Sequence, residues 1–377
     1  MHAFREPGRR IVRRGRVLTA ALRAVIDTAA LRHNLTRVRE LASGCRVIAV
    51  IKANAYGHGL LTAAGALAGA DAFAVARVGE AVALRDAGCR APIVLLEGFG
   101  DAAELEAAAY HGLEPFVHQD FQLDLLEAWR GPQSFRAWLK VDTGMNRLGF
   151  AAGKAAAAAA RLEACRFVSK PLAFATHLAD AECGEAGHAR AQLEAFESVT
   201  SGRPGERSIA NSAGLIAWPA SRADWVRPGI MLYGISPFAD RTGAEFGLQP
   251  AMTLETRIIA LKDVAPGERV GYGGTWVAPR PSRVAVAAIG YGDGYPRGAA
   301  NGTPVSVNGE AATLAGRPSM DMLTIDVTDI SRTGIGDRVE LWGREVPVEK
   351  VAASAGTIAY ELTCRVGRRV NFTTLGP

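Results

Sequence analysis

The sequence predicts an α/β protein in two parts, an N-terminal (β/α)8 TIM-like barrel over residues 20–245 and an all-β domain over residues 246–377. Three observations lead there. From residue 20 to about 235, short apolar runs alternate with Ala/Leu-rich helical stretches, the pattern of parallel βαβ units whose strands are buried on both faces. The unit recurs about eight times over ~215 residues, which suits a closed barrel of the usual ~250-residue size. Beyond residue 245 the texture changes to alternating apolar and polar residues punctuated by Gly, Pro and Asn, as in an antiparallel barrel or sandwich.

Taken in order, residues 1–19 read as a disordered basic tail. Nine candidate strands follow: "AVID" (24–27), "RVIAVIK" (46–52), "AFAVA" (72–76), "PIVLLEG" (92–98), "EPFVH" (114–118), "FRAWLKVD" (135–142), "LAFATH" (172–177), "RSIAN" (207–211) and "WVRPGIMLYG" (225–234). Nine is one too many for the barrel, so "AVID" is the candidate to pair elsewhere. Between the strands lie periodic segments such as "TAALRHNLTRVRELA" and the low-complexity "GKAAAAAARLEA", which alanine's helix propensity makes a helix. The boundary falls in "SPFADRTGAEFGLQP". The second part then runs through "TLETRIIALKDV", "SRVAVAAIG", "TPVSVNG", "AATLAGRPS", "MLTIDVT" and "DRVELWG".

Composition narrows the function class. At 377 residues the chain exceeds one ordinary small core, so two domains are expected. The net charge of +5 is located wholly in residues 1–16, where six arginines face one acid, and the remainder is formally neutral. No basic stripe supports a nucleic-acid partner. The arginine tail lacks the apolar stretch of a secretory signal, because "VLTAALRAVIDT" is broken by Arg23 and Asp27. No run reaches the ~20 apolar residues of a membrane span. Five scattered cysteines without a CxxC pair argue for reduced thiols, a cytoplasmic location and no metal site.

A barrel presents its chemistry at the C-terminal ends of its strands. Those ends carry Lys52, Glu97, His118, Asp142, His177, Asn211, and Arg227 with Gly229. "AVIKANAYGHG" raises the sharpest question, since a buried strand there finishes on an amine. Lys52 either marks where the strand meets water or is a reactive amine held against something.

The ordered set "AVIKANAYGHG", "LKVDTGMNRLGF", "ATHLADAE", "ANSAG", "RPGIMLYG", "GYGGTW", "IGYGDGYPR", "GRPSMDM" and "YELTCRVGRR" resembles the alanine racemases that use pyridoxal 5′-phosphate, from about residue 20 to the C-terminus. The resemblance implies a racemase interconverting L- and D-alanine, with Lys52 bonded covalently to the cofactor aldehyde. Such an amine must lose its proton, which a partly desolvated site with cationic neighbours favours. Racemisation moves a Cα proton from one face to the other, so two bases on opposite sides are the simplest design. By resemblance the second is Tyr272, lent by a partner subunit, which implies a homodimer with shared sites.

The resemblance also implies that His177 and Arg147 stabilise the Tyr272 phenolate, a group that needs help because its ordinary pKa is ~10. Arg147 is further implied to bind the substrate carboxylate. Arg227 is implied to face the pyridine nitrogen, where a group that only donates keeps that nitrogen unprotonated. Tyr56, Ser212 and Tyr360, with backbone N–H groups at Gly229 and Ile230, are implied to hold the phosphate. Met320 and Asp321 would lie by the substrate carboxylate, and Tyr291 with Tyr360 would narrow the entrance in favour of a methyl side chain. Lys140 in "LKVD" is either carbamylated, as in several family members, or an unmodified lysine near Asp142.

Two positions depart from the commoner pattern: Ser208 replaces a histidine and Ser319 a cysteine. A basic amino-acid decarboxylase of the same architecture would place an acid where this chain has Arg227. A racemase of broader specificity would be exported and carry disulfides, and a non-catalytic cofactor binder would lack the β domain and Tyr272. The expected outlet is D-alanine for peptidoglycan, or alanine catabolism.

Overall fold

A computed structural model describes residues 22–186 and 188–376. The basic tail expected at residues 1–19 lies outside the described residues.

Eight parallel strands close on themselves: Arg46–Val50, Ala72–Val75, Ile93–Leu95, Glu114–Val117, Trp138–Asp142, Ala173–Ala175, Arg207–Ser208 and Trp225–Val226. Each pairs in parallel with the next, and Trp225 returns to Arg46 to complete the ring. These are the eight candidates that remain once "AVID" is set aside. Most are shorter than their apolar runs, because the chain leaves the sheet early and continues as buried loop on the barrel mouth.

The ninth candidate, Arg23–Asp27, pairs antiparallel with Met252–Val264 and parallel with Asn371–Leu375. By its hydrogen bonds it belongs to the C-terminal sheet, although it opens the segment assigned to the barrel. It delivers the chain to helix Thr28–Leu41, whose start Asp27 caps by accepting from the N–H groups of Ala29 and Ala30. The buried face of that helix carries Asn34, which donates to Leu232 O and Gln249 O and accepts from Gln249 N. One fully buried amide, satisfied at three points, thereby ties the helix to the segments leaving the barrel. The alanine-rich stretch forms helix Ala152–Ala164 as its composition requires.

Inward-facing side chains fill the barrel as a separate core that includes Ile48, Val50, Ala74, Phe116, Trp138 and Trp225. At the N-terminal end, Trp138 and Trp225 donate their indole N–H groups to Glu114 and Glu206, and the Arg46 guanidinium lies 4.1 Å over the Trp225 ring. That end is plugged, and the functional opening is left to the other.

In the C-terminal part, Ser282–Ala287, Leu323–Asp326, Glu310–Leu314, Pro304–Val307, Arg338–Trp342 and Met252–Val264 form an antiparallel ring, closed by pairing of the first with the last. Of the two expected architectures, the barrel is the one found.

Candidate active site

A cavity of about 850 Å³ opens at the C-terminal end of the parallel barrel, and Lys52 stands on its wall. The strand expected to run to Lys52 ends at Val50; Lys52 opens a short turn, Lys52–Tyr56. Within it Ala53, Asn54, Ala55 and Tyr56 all have φ between 52° and 56°. Four consecutive non-glycine residues in the left-handed region cost about 1–2 kcal/mol each. The turn is therefore held from outside: Ala53 N donates to Glu80 Oε1 at 2.7 Å, and Asn54 Oδ1 accepts from Leu60 N at 2.9 Å. Burial, and after it the Arg147 charge, push the Lys52 amine below its ordinary pKa, while Glu97 and Glu80 oppose the shift more weakly.

Beside Lys52 lies a cradle built from Tyr56, Ser212, Gly229 and Tyr360. The rings of Tyr56 and Tyr360 sit 6.0 Å apart, and burial holds both phenols in the neutral, donating form. Ser212 Oγ accepts from Gly229 N at 3.0 Å, which leaves the hydroxyl proton to donate. A Cβ on Gly229 would lie 2.4 Å from the Tyr56 hydroxyl, so the absence of a side chain lets these donors converge. Ile230 opens the buried turn that follows, Ile230–Tyr233, and also faces the cavity.

Arg227 is 4% exposed, and its guanidinium donates to Ser208 Oγ, Thr176 O and Ile209 O. Ser208 is thus one of the groups that fix the arginine. Burial lowers the Arg227 pKa to about 10, so it stays charged at neutral pH. Its Nη2 also approaches His177 Nδ1 at 3.4 Å. Burial and then the Arg227, Lys140 and Arg147 charges drive His177 well below the ordinary imidazole range, and it is neutral. Lys140, 8% exposed, donates to Val141 O at 2.9 Å. Burial first and Arg227 second bring it to about 7.

Of the strand-end residues, Lys52, Glu97, His118, His177, Asn211, Arg227 and Gly229 line the cavity. Asp142 does not; its Oδ1 accepts from Gly144 N and Asn146 N and shapes the turn that brings Arg147 to the wall. Sequence reasoning missed Cys364, which shares helix Ala359–Cys364 with Tyr360, and Phe121. The four-residue spacing of Tyr360 and Cys364 on one helix was the available signal for the cysteine.

Tyr272, Tyr291, Met320 and Asp321 do not line this cavity within the protomer. Tyr272 sits on the glycine-flanked turn Tyr272–Gly274 and is 68% exposed. Tyr291 and Met320 are joined by their turns, with Tyr291 N donating to Ser319 O and Gly292 N to Met320 O. Arg369 clamps the pair by bridging Asp293 and Asp321. All four residues lie on the surface of the C-terminal part, three of them large and unburied.

Comparison with known proteins agrees with this fold. The family model "Alanine racemase, N-terminal domain" matches residues 26–237, and "Alanine racemase, C-terminal domain" matches residues 251–374. An alanine racemase of Nitrosococcus oceani is 52% identical over 348 residues, covering 92% of this chain and 97% of the relative. Another, from Yersinia pestis, is 49% identical, covering 94% and 99%. The crystal structure of the biosynthetic alanine racemase from Pseudomonas aeruginosa superimposes with a TM-score of 0.91 at 43% identity, covering 94% of this chain and 99% of that one. The Bartonella henselae alanine racemase, described with covalently bound pyridoxal phosphate, gives a TM-score of 0.83 at 32% identity, covering 94% and 100%. With both family models together spanning most of the described residues, the chain belongs to the alanine racemase family.

Proposed function

We propose that the chain interconverts L-alanine and D-alanine, using pyridoxal 5′-phosphate held at the barrel mouth and two bases, Lys52 and Tyr272 of the partner subunit. The observation that carries the reading is one cavity holding a depressed-pKa lysine, a donor cradle and a buried arginine. The residues fit that cofactor. Lys52 supplies the amine an aldehyde requires, the cradle at Tyr56, Ser212, Gly229, Ile230 and Tyr360 suits a phosphate, and Arg227 suits a ring nitrogen that accepts a hydrogen bond. When bound, pyridoxal 5′-phosphate supplies a conjugated electron-withdrawing ring that acidifies the Cα–H bond of an amino acid joined to it.

The chain's own residues then handle one proton. Lys52, whose amine burial biases toward the uncharged form, takes or returns that proton on one face of Cα. Tyr272 of the partner subunit does the same on the other face. The neutral His177 accepts from Arg227 at Nδ1, keeps its proton on Nε2, and donates it to the phenolate. Arg147, on the wall beside Lys52, binds the substrate carboxylate, for which a guanidinium fork is shaped. The partner's Met320 and Asp321 complete that pocket. Tyr360 and the partner's Tyr291 narrow it to a methyl side chain. Arg227, which can only donate, would leave the ring nitrogen of the bound cofactor unprotonated and so moderate its electron withdrawal, favouring return of the proton to Cα over other outcomes.

Tyr272, Tyr291, Met320 and Asp321 gain a site only if two chains assemble, so the working unit in this reading is a homodimer with two composite sites. A catalyst leaves the equilibrium unchanged, so the same reaction serves D-alanine supply for peptidoglycan or alanine catabolism. Incubating the pure protein with L-alanine and pyridoxal 5′-phosphate in deuterated water tests the reading. Loss of optical rotation with deuterium entering Cα is expected. Release of CO₂, or no exchange, contradicts it.

A further inference from the structure

His58 is 1% exposed and has no part in the reaction just described. Its Nδ1 lies 3.1 Å from Ala55 O and 3.0 Å from Tyr56 O. Both partners are acceptors, so Nδ1 carries the proton and clamps the last two residues of the left-handed run. The ring stacks on Tyr233 with centroids 4.5 Å apart, and Tyr233 stacks in turn on Tyr56 at 4.9 Å. The Tyr233 hydroxyl donates to Val50 O at 3.0 Å. His58 and Tyr233 therefore grip the lysine-bearing segment at both ends, from the last strand residue to Tyr56.

With the proton on Nδ1, Nε2 is an acceptor, and it is buried with no hydrogen-bond partner among the described residues. His58 lines a cavity of about 70 Å³ between the two barrels. Trp342 lines the same cavity, is 1% exposed, and has a buried indole N–H that also lacks a partner. The charged groups there are engaged: Glu349 accepts from Ser236 N and Gly243 N, and Arg344 pairs with Asp27. One orphan accepts and the other donates. A water molecule, which takes about 30 Å³ in the liquid, is a ligand of that size able to serve both.

We propose that His58 is the positioning residue of the Lys52–Tyr56 turn, held in its Nδ1–H tautomer by a water that donates to Nε2 and accepts from the Trp342 indole. The proposal rests on the reading that Lys52 and Tyr56 hold the cofactor. It joins the cofactor cradle to the C-terminal barrel through one imidazole, so that both barrels set the position of the amine.

The test titrates pyridoxal 5′-phosphate into cofactor-stripped protein. His58→Phe keeps a stacking ring and loses both nitrogens; weaker binding by about tenfold or more is expected. His58→Asn restores an N–H near the place of Nδ1 and returns affinity to within about threefold. Wild-type affinity in His58→Phe overturns the proposal. Wild-type protein that binds no cofactor overturns the functional reading instead. Should His58→Phe fail to fold, neutron diffraction of the wild-type holoenzyme decides. Deuterium on Nδ1 alone, with a heavy water between Nε2 and Trp342, supports the proposal; deuterium on Nε2, or no water there, refutes it.

Discussion

Nη2 of Arg227 lies 3.4 Å from Nδ1 of His177. A guanidinium has only donors, so this contact fixes the imidazole tautomer and keeps the acidic N–H at Nε2. This buried arginine thus aims a neighbour's proton, and in the proposed site it would also face the cofactor ring.

His177→Leu should lower racemisation by about a hundredfold, the smaller end of what a positioned acid–base group supplies. His177→Gln, whose amide nitrogen falls near Nε2, should retain much more. Steady-state rates in both directions check this. Because burial and nearby cations keep His177 neutral, the wild-type pH–rate profile should show no inflexion near 6.5 from this residue.

Stability should fall on mild acidification. Burial lowers His58 from 6.5 to about 4, so between those values the unfolded chain binds a proton that the folded chain does not. The contribution is complete above the unfolded value and is lost as pH falls toward the folded one. For His58 alone this amounts to about 2 kcal/mol between pH 7 and pH 5. Denaturant midpoints at the two pH values measure it, and His58→Phe should flatten the dependence.

Gly229→Ala should loosen the cofactor. The added methyl would meet the Tyr56 hydroxyl at 2.4 Å and push it from the cradle. Affinity for pyridoxal 5′-phosphate should drop about tenfold or more, equivalent to losing one charge-assisted hydrogen bond. Equilibrium dialysis of the stripped variant checks it.

Lys140 should take up carbon dioxide. An amine brought to about 7 is substantially neutral at working pH, and the neighbouring Arg227 and Arg147 charges disfavour an ammonium there. Addition of CO₂ forms an N–C bond, releases one proton and converts the side chain to an anion those arginines can pair. A carbamate signal with ¹³C-bicarbonate, absent in Lys140→Ala, is the expected result.

How much of this was legible in the sequence follows from the physics of each part. The eight barrel strands were, because parallel strands buried on both faces need unbroken apolar runs. Their ends were not, since "RPGIMLYG" stays apolar past Val226 while forming the buried turn Ile230–Tyr233. The convergence of Lys52, His177 and Arg227 was legible because a barrel sends its strand ends to one mouth. The left-handed turn at Ala53–Tyr56 was not: no glycine announces it, and it exists through contacts from Glu80 and His58, distant or local, that periodicity does not encode. Tyr272, Tyr291, Met320 and Asp321 were singled out through resemblance alone, because a role that needs a second chain leaves no mark on the spacing of one.

The most direct test of the shared site mixes two inactive chains. Lys52→Ala and Tyr272→Phe are unfolded together in equal amounts and refolded with pyridoxal 5′-phosphate. If Lys52 of one chain works with Tyr272 of the partner subunit, half the dimers are mixed and each holds one intact site, so about a quarter of wild-type racemisation returns. If the mixture stays as inactive as its parents, or if Tyr272→Phe alone racemises at the wild-type rate in both directions, the two-chain, two-base account is wrong.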